Sequence, residues 1–377
     1  MAQKIFVAAT GMNCGKTTTS LSLLHLARQR YKRIGFIKPI GPKPTVVGGL
    51  TVDKDAALMA QVYGLERSLE YMSPVMVLPG TTRKVLEGEI SRDSVREKIL
   101  QAVDVLDREC DFLIVEGAGH SGVGSILGMS NARVARMIDA PVLMVTGGGV
   151  GNVVDAVSMN AALFRQEGAR IRAIVANKIV AEKRDATLRY LNLGFRDDGF
   201  AVVGGFNYQP ILANPTLRRI VKVLDLPLQG NRQEEKRIVH HVHIGAASTQ
   251  RVAELLQEST LLLVTSSRDE LLVTLANLYN MPEYRTKIVG LIIIGVQPIA
   301  KITHQILERS NIPYLRTDRT TADIFLTITE DVSKLTAEDT EKIGLIQTLA
   351  EKRLDFDYLD ALFDPANTTA SPRISQK

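Results

Sequence analysis

Gly15-Lys16-Thr17-Thr18 places an ammonium and two hydroxyls directly behind a glycine, near the start of a 377-residue chain. Residues 5–9 before it are apolar, Thr10-Gly11-Met12-Asn13-Cys14 form a Gly-bearing turn, and residues 20–28 continue with helical spacing. Strand, loop and helix in that order cradle a phosphate: backbone N–H groups of the loop and of the open first helical turn point inward, and the helix dipole favours an anion there. The candidate nucleotide-binding residues are Gly11, Asn13, Cys14, Gly15, Lys16, Thr17 and Thr18. Lys16 would reach the β- and γ-phosphates, which also makes it a candidate catalytic group, and the Thr17 hydroxyl would ligate Mg²⁺. The strict pattern has glycine where Thr10 stands, so the loop is a variant.

Four further segments end in residues capable of chemistry. Lys38, before Pro39, closes the apolar run 34–37; it reads as a charge for a transferring phosphoryl group or as a solvated surface lysine. Asp55 opens a helical pattern, where an acid is a cap, a first-turn charge or a Mg²⁺ ligand. Glu116 ends the run 112–115 and is followed by Gly117-Ala118-Gly119. A carboxylate at the tip of a buried strand is costly without a partner, and Mg²⁺ is the partner expected. Asn177 ends the run 171–176, offering a donor and an acceptor to the edge of a purine, or else serving a turn. Two other features are read as structural. Cys14 lies where phosphate leaves little room for a nucleophile. His240, His241 and His243 lie on an expected strand, with 241 and 243 on one side and 240 on the other, and no acids or cysteines are spaced to complete a metal site.

The elements that must position these residues follow from the apolar pattern. Runs at 5–9, 34–37, 112–115, 142–146, 171–176 and 201–205 alternate with helical periodicity, which predicts βαβ units and a parallel sheet with helices on both faces. In such sheets ligands sit at the carboxyl ends of the strands. Residues 226–236 are polar and break the pattern. A second, smaller α/β pattern follows, with strands at 238–244, 260–265, 288–294 and 312–315 and helices near 250–257, 269–279 and 302–309. A closing helix is expected at 338–354. The domains expected are therefore 1–228 and 237–355, with a disordered tail at 365–377. Lys and Arg are scattered without a run of five, against a net charge of only +5, so nucleic acid is not an expected partner. Two isolated cysteines, a strand at the very N-terminus and the lack of a long apolar stretch predict a cytoplasmic protein with no disulfide framework, signal peptide or membrane span.

The phosphate loop, Lys38-Pro39, Asp55-Ala56 and Glu116-Gly117-Ala118-Gly119, in this order, resemble dethiobiotin synthetase over the first 225 residues. Residues 206–217, with Pro210 and Asn214-Pro215-Thr216, are similar to the late segment of that fold. A closer resemblance is to the dethiobiotin-synthetase-like N-terminal region of long bacterial phosphate acetyltransferases, where the P-loop domain is followed by a DRTGG-type domain. Residues 237–345 look like that second domain, with Ser267-Arg268-Asp269 and Thr317-Asp318-Arg319-Thr320-Thr321-Ala322 each opening a helix. The acetyltransferase domain that would follow has no counterpart in the sequence. In dethiobiotin synthetase, ATP phosphorylates a carbamate formed from a diamino acid and CO₂. The resemblance implies phosphate binding by Lys16, Mg²⁺ binding by Thr17, Asp55 and Glu116, transition-state support by Lys38 and base reading by Asn177.

The departures fall on the acceptor side. Ile40-Gly41-Pro42-Lys43 follow Lys38-Pro39, Pro79-Gly80-Thr81-Thr82-Arg83 replace a Pro-and-Ser/His loop, and His120-Ser121-Gly122 follow Gly119. Related amidoligases that build cobyrinic acid diamide use a glutaminase cysteine that has no counterpart here, and Gly11 stands where partitioning ATPases carry a signature lysine. The sequence therefore predicts a Mg-nucleotide (ATP) binding protein serving as a regulatory or ligand-sensing module. The alternative is an ATP-dependent ligase acting on a carboxylate or carbamate. The partners expected are a nucleotide, an unknown small-molecule acceptor or effector and, from the family, a second copy in a homodimer.

Overall fold

The six apolar runs of the first part of the chain become one parallel sheet in the computed structural model, which describes residues 2–331, 334–364 and 366. The tail expected at 365–377 lies outside the described residues, Ala366 apart. The strands are Gln3–Ala9, Ile34–Ile37, Phe112–Glu116, Val142–Gly147, Ile171–Asn177 and Ala201–Gly204. Across the sheet they run 201–204, 171–177, 142–147, 3–9, 112–116, 34–37, every pair parallel. Ile5 lies opposite Ile114 and Phe6 opposite Val142, so the first strand is central. The strand order reverses beside it, which is where open parallel sheets bind ligands. Ile5 to Ala9 and Phe112 to Glu116 are all fully buried. Helices cover both faces, which is why these strands read as unbroken apolar runs and not as alternation.

The helices follow from their spacing. Arg92–Glu109 begins at Ser91, whose Oγ accepts from the Asp93 amide, and buries Val95, Ile99, Ala102, Val103 and Leu106 along one stripe. Val150–Glu167 buries Val153, Val157, Asn160, Ala161 and Phe164 and stops at Gly168, which takes a left-handed conformation. An antiparallel hairpin, Pro44–Val47 with Leu50–Asp53, turns at Gly48 and Gly49, both at positive φ; it was not expected from the sequence.

Contacts divide the chain into two units, and the division differs from the one expected. One unit contains the residues up to Tyr208 and those from Thr340 onward; the other is Gln209–Asp339. The closing helix, Thr340–Arg353, does not complete the second unit but packs on Lys16–Ala27 in the first. Phe356–Phe363 follows it: the Phe356 ring meets Phe112 edge-on at 5.9 Å, and Asp360 Oδ1 accepts from Tyr31 Oη at 2.7 Å and Gln3 Nε2 at 2.9 Å. Lys16–Ala27 is thus covered on two sides, and its buried residues fall all round the helix. The expected start of the second domain was also late. Leu217–Leu224 belongs to that unit, because Leu217, Ile220 and Leu224 share a core with Ile324 and Ile328.

The second unit has its own parallel sheet, with His241–Ile244, Thr260–Thr265, Ile288–Ile294 and Tyr314–Thr317 in sequential order. Alternate strand residues feed two cores. Leu262, Val264 and Ile293 pack with Leu271, Leu275 and Leu307, while Leu261, Leu263 and Ile292 pack with Leu217 and Ile324. Among the described residues no helix is long and apolar enough to cross a membrane.

Candidate nucleotide site

Thr10 leaves the central strand with its amide on Val145 O at 3.1 Å and its Oγ1 on Thr146 Oγ1, also at 3.1 Å. The loop then passes through Asn13 (φ 58°) and Gly15 (φ 104°) into Lys16–Ala27. No side chain caps that helix, so the N–H groups of its first turn are left for a ligand. Gly15 is required twice over: its φ favours glycine, and a Cβ there would lie 2.1 Å from Asn177 Nδ2. Lys16 Nζ donates to Gly119 O at 2.7 Å and Gly11 O at 3.2 Å. Burial pulls its pKa down to about 8, with Glu116 pushing the other way.

Behind Lys16 lies a buried charged cluster. Lys38 Nζ donates to Asp55 Oδ2 and to Glu116 Oε1, each at 2.7 Å, and the Thr17 hydroxyl is 3.3 Å from Asp55 Oδ1 and 3.2 Å from Glu116 Oε1. The alternative of Lys38 as a solvated surface lysine is thereby removed, since it is 3% exposed. Burial pushes its pKa down, but Glu116, then Asp55 and Asp53, push it further up, so it stays charged. The cap role weighed for Asp55 belongs to Asp53, whose carboxylate accepts from the Asp55 amide at 2.9 Å and the Lys43 amide at 3.0 Å. Asp55 is left free of the cap and turns its carboxylate to Lys38 and Thr17. Burial, and then the Asp55 charge, raise the pKa of Asp53.

The donors present fit Mg²⁺. They are hard oxygens, from one hydroxyl and two carboxylates, and Glu116 Oε2 is buried without a hydrogen-bond partner. No group of three or more His, Cys, Asp and Glu side chains that could hold a metal ion occurs among the described residues. Two carboxylates and a hydroxyl suit an ion that takes its remaining ligands from water and substrate phosphates.

Three buried asparagines fasten the loops around this cluster, and two of them were not singled out in the sequence. Asn131 Nδ2 donates to Ala118 O and His120 O, both at 2.6 Å, while its Oδ1 accepts from the Ala118 amide. A Cβ on Gly117 would lie 2.7 Å from that oxygen, which explains the glycine after Glu116. Asn160 reaches Thr10 O and the Ser121 amide. Asn177 Nδ2 donates to Cys14 O at 3.0 Å and its Oδ1 accepts from the Phe206 amide at 3.1 Å, so its amide ties the phosphate loop to the chain after Ala201–Gly204. The left-handed residue at this strand end is Lys178, not Asn177. In the sequence Asn160 interrupts an apolar stripe and Asn131 follows the cap Ser130, and neither position alone marks the loops it fastens.

The structure thus brings Lys16, Thr17, Lys38, Asp55 and Glu116 together, with Gly11, Cys14, Gly15 and Asn177 beside them. Asn13 is exposed at the loop tip, and Thr18 lies in the first helical turn, its carbonyl accepting from Ser22 Oγ. In the second unit the His241 and His243 rings are 6.1 Å apart.

The profile of the AAA domain family matches residues 3–223, more than half of the chain. The chain belongs to the AAA domain family. The DRTGG domain profile matches residues 219–330, so this is a P-loop nucleotide-binding module joined to a DRTGG domain. Phosphate acetyltransferase of Nitrosomonas europaea is 24% identical over 286 residues, covering 74% of this chain and 40% of that protein. Phosphate acetyltransferase of Pseudomonas aeruginosa is 22% identical over 375 residues, covering 94% of this chain and 51% of that protein. The chain spans about half or less of the length of these relatives. ATP-dependent dethiobiotin synthetase of Pseudomonas aeruginosa is 30% identical over 178 residues, covering 46% of this chain and 76% of that protein.

Proposed function

We propose that the chain binds Mg-nucleotide, with ATP as the ligand, and acts as a regulatory or ligand-sensing module with slow or no turnover. The observation that carries this reading is the convergence of Thr17, Asp55 and Glu116 oxygens beside two lysines, at the mouth of a helix with no side-chain cap. The ATP-dependent dethiobiotin synthetase relative supports ATP as the nucleotide. Lys16 would leave its carbonyl partners for the β- and γ-phosphates, and Thr17, Asp55 and Glu116 would hold Mg²⁺. The bound ion would supply positive charge to the phosphate oxygens. Asn177 would position the phosphate loop through Cys14 O and meet the base only with what bonding capacity its amide retains.

Sensing is favoured over ligation by the acceptor side. The chain beyond Lys38-Pro39 builds a hairpin that exposes Pro44, Val46, Leu50 and Thr51, where dethiobiotin synthetase is expected to carry small polar residues for its acceptor. The ligase reading draws on one observation, that Lys38 is held with Asp55 and Glu116 in the cluster beside Lys16, where its charge would support a transferring phosphoryl group. We place the protein in the cytoplasm, as a homodimer responding to a small-molecule effector. The test is phosphate release from ATP by wild type and Lys38→Ala across a panel of small carboxylates and diamines. Basal release that no acceptor moves is expected. Acceptor-stimulated release that falls about 10²–10³-fold in Lys38→Ala would establish the ligase instead.

A further inference from the structure

The phosphate loop and the loop after Phe112–Glu116 are joined twice. One joint is Lys16, which starts the first helix and donates to Gly119 O at 2.7 Å. The other is Asn160, 2% exposed, on Val150–Glu167. Its Nδ2 donates to Thr10 O at 3.2 Å and Ala156 O at 2.8 Å, and its Oδ1 accepts from the Ser121 amide at 3.0 Å. The amide cannot be turned over, because the Ser121 N–H needs an oxygen and the two carbonyls need an N–H. The residue sits among Val153, Val157, Ala161 and Phe164, where an apolar side chain would complete the stripe. A buried amide there has to be matched by partners, and its partners are the backbones of two site loops.

A phosphate acts differently on the two joints. Lys16 would have to turn away from Gly119 to meet it, whereas Asn160 bonds only to backbone and would keep its contacts. We propose that Asn160 is a positioning residue that holds the two loops in register once Lys16 has turned to the phosphates. This rests on the nucleotide-binding reading, and it puts the weight of Asn160 on the bound state. Without nucleotide, Lys16 and Asn160 cover for each other.

The experiment measures Mg-ATP affinity and urea stability for wild type, Lys16→Ala, Asn160→Ala and the double variant. Asn160→Ala is expected to weaken Mg-ATP about tenfold or more, the loss of a buried hydrogen-bonded group. Its nucleotide-free stability should fall less in the wild-type background than in the Lys16→Ala background, because only there is the second joint also gone. Wild-type affinity in Asn160→Ala, or equal stability losses in the two backgrounds, would overturn the proposal. Should Asn160→Ala fail to fold, amide exchange in wild type decides. A Ser121 amide that stays slow with Mg-ATP supports the joint, and one that exchanges faster with Mg-ATP overturns it. A wild type that binds no Mg-ATP would overturn this and the nucleotide-binding reading together, and the wild-type titration alone distinguishes that failure.

Discussion

Lys16 is the residue that must be charged to meet phosphate, yet burial brings its pKa from 10.5 to about 8 in the free protein. A bound triphosphate would restore the proton. Affinity should therefore be flat below pH 7 and about tenfold weaker at pH 9, with proton uptake on binding. Titrations at pH 7 and 9 check this, and equal affinities would contradict it. The same depressed pKa costs the free protein stability below about pH 8, a cost relieved as pH rises toward 10.5. Lys38 behaves in the opposite way. Replacing it by Met would leave Asp55 and Glu116 buried without their cation, destabilising the protein by about 3–5 kcal/mol. Millimolar Mg²⁺ without nucleotide should then raise the urea midpoint of Lys38→Met more than that of wild type. Equal responses would argue against a metal site on these carboxylates. The convergence of these side chains was legible because Lys38 and Glu116 close apolar runs and Lys16 and Thr17 follow the Gly-bearing loop after another, at the end of the sheet where parallel sheets keep their chemistry. Asn131 and Asn160 were not, because a lone amide in a helical pattern announces nothing until its partners are placed.

At the scale of elements, the strands were the clearest part of the sequence. A strand buried on both faces is a solid apolar run, as in Phe112 to Val115, and needs no partner to be recognised. The hairpin at Pro44–Val47 and Leu50–Asp53 escaped notice because Pro44, Val46 and Leu50 face solvent and no buried stripe marks it. The closing helix was found but assigned to the wrong unit, since a helix's own pattern shows that it has a buried face and not what covers it. The cover appears only in the structure, where Lys16–Ala27 has buried residues all round, as a surface helix does not. A chain cut after Gly230 should accordingly aggregate or lose its cooperative transition, because it uncovers that helix together with Tyr31 and Phe112. Thermal unfolding and sizing of the truncated chain test this. A monomeric product melting with the full chain's first-unit transition would contradict it.

For the whole molecule, the second unit is an insertion between Tyr208 and Thr340, in contrast to a domain appended at one end. Each unit has its own parallel sheet and cores, so each is expected to contribute its own unfolding transition. The net charge of +5, spread without runs, and the 45% apolar content fit two packed α/β bodies and never bore on which ligand they take. That question is decided at one small cluster. We propose that Lys16 and the oxygens of Thr17, Asp55 and Glu116 form a Mg-nucleotide site there. Calorimetric titration of Mg-ATP into wild type and into folded Lys16→Ala protein tests it most directly. Saturable one-site binding that requires Mg²⁺ and is lost in Lys16→Ala is the result expected. Binding of equal strength in the two proteins, or none in wild type, would contradict it.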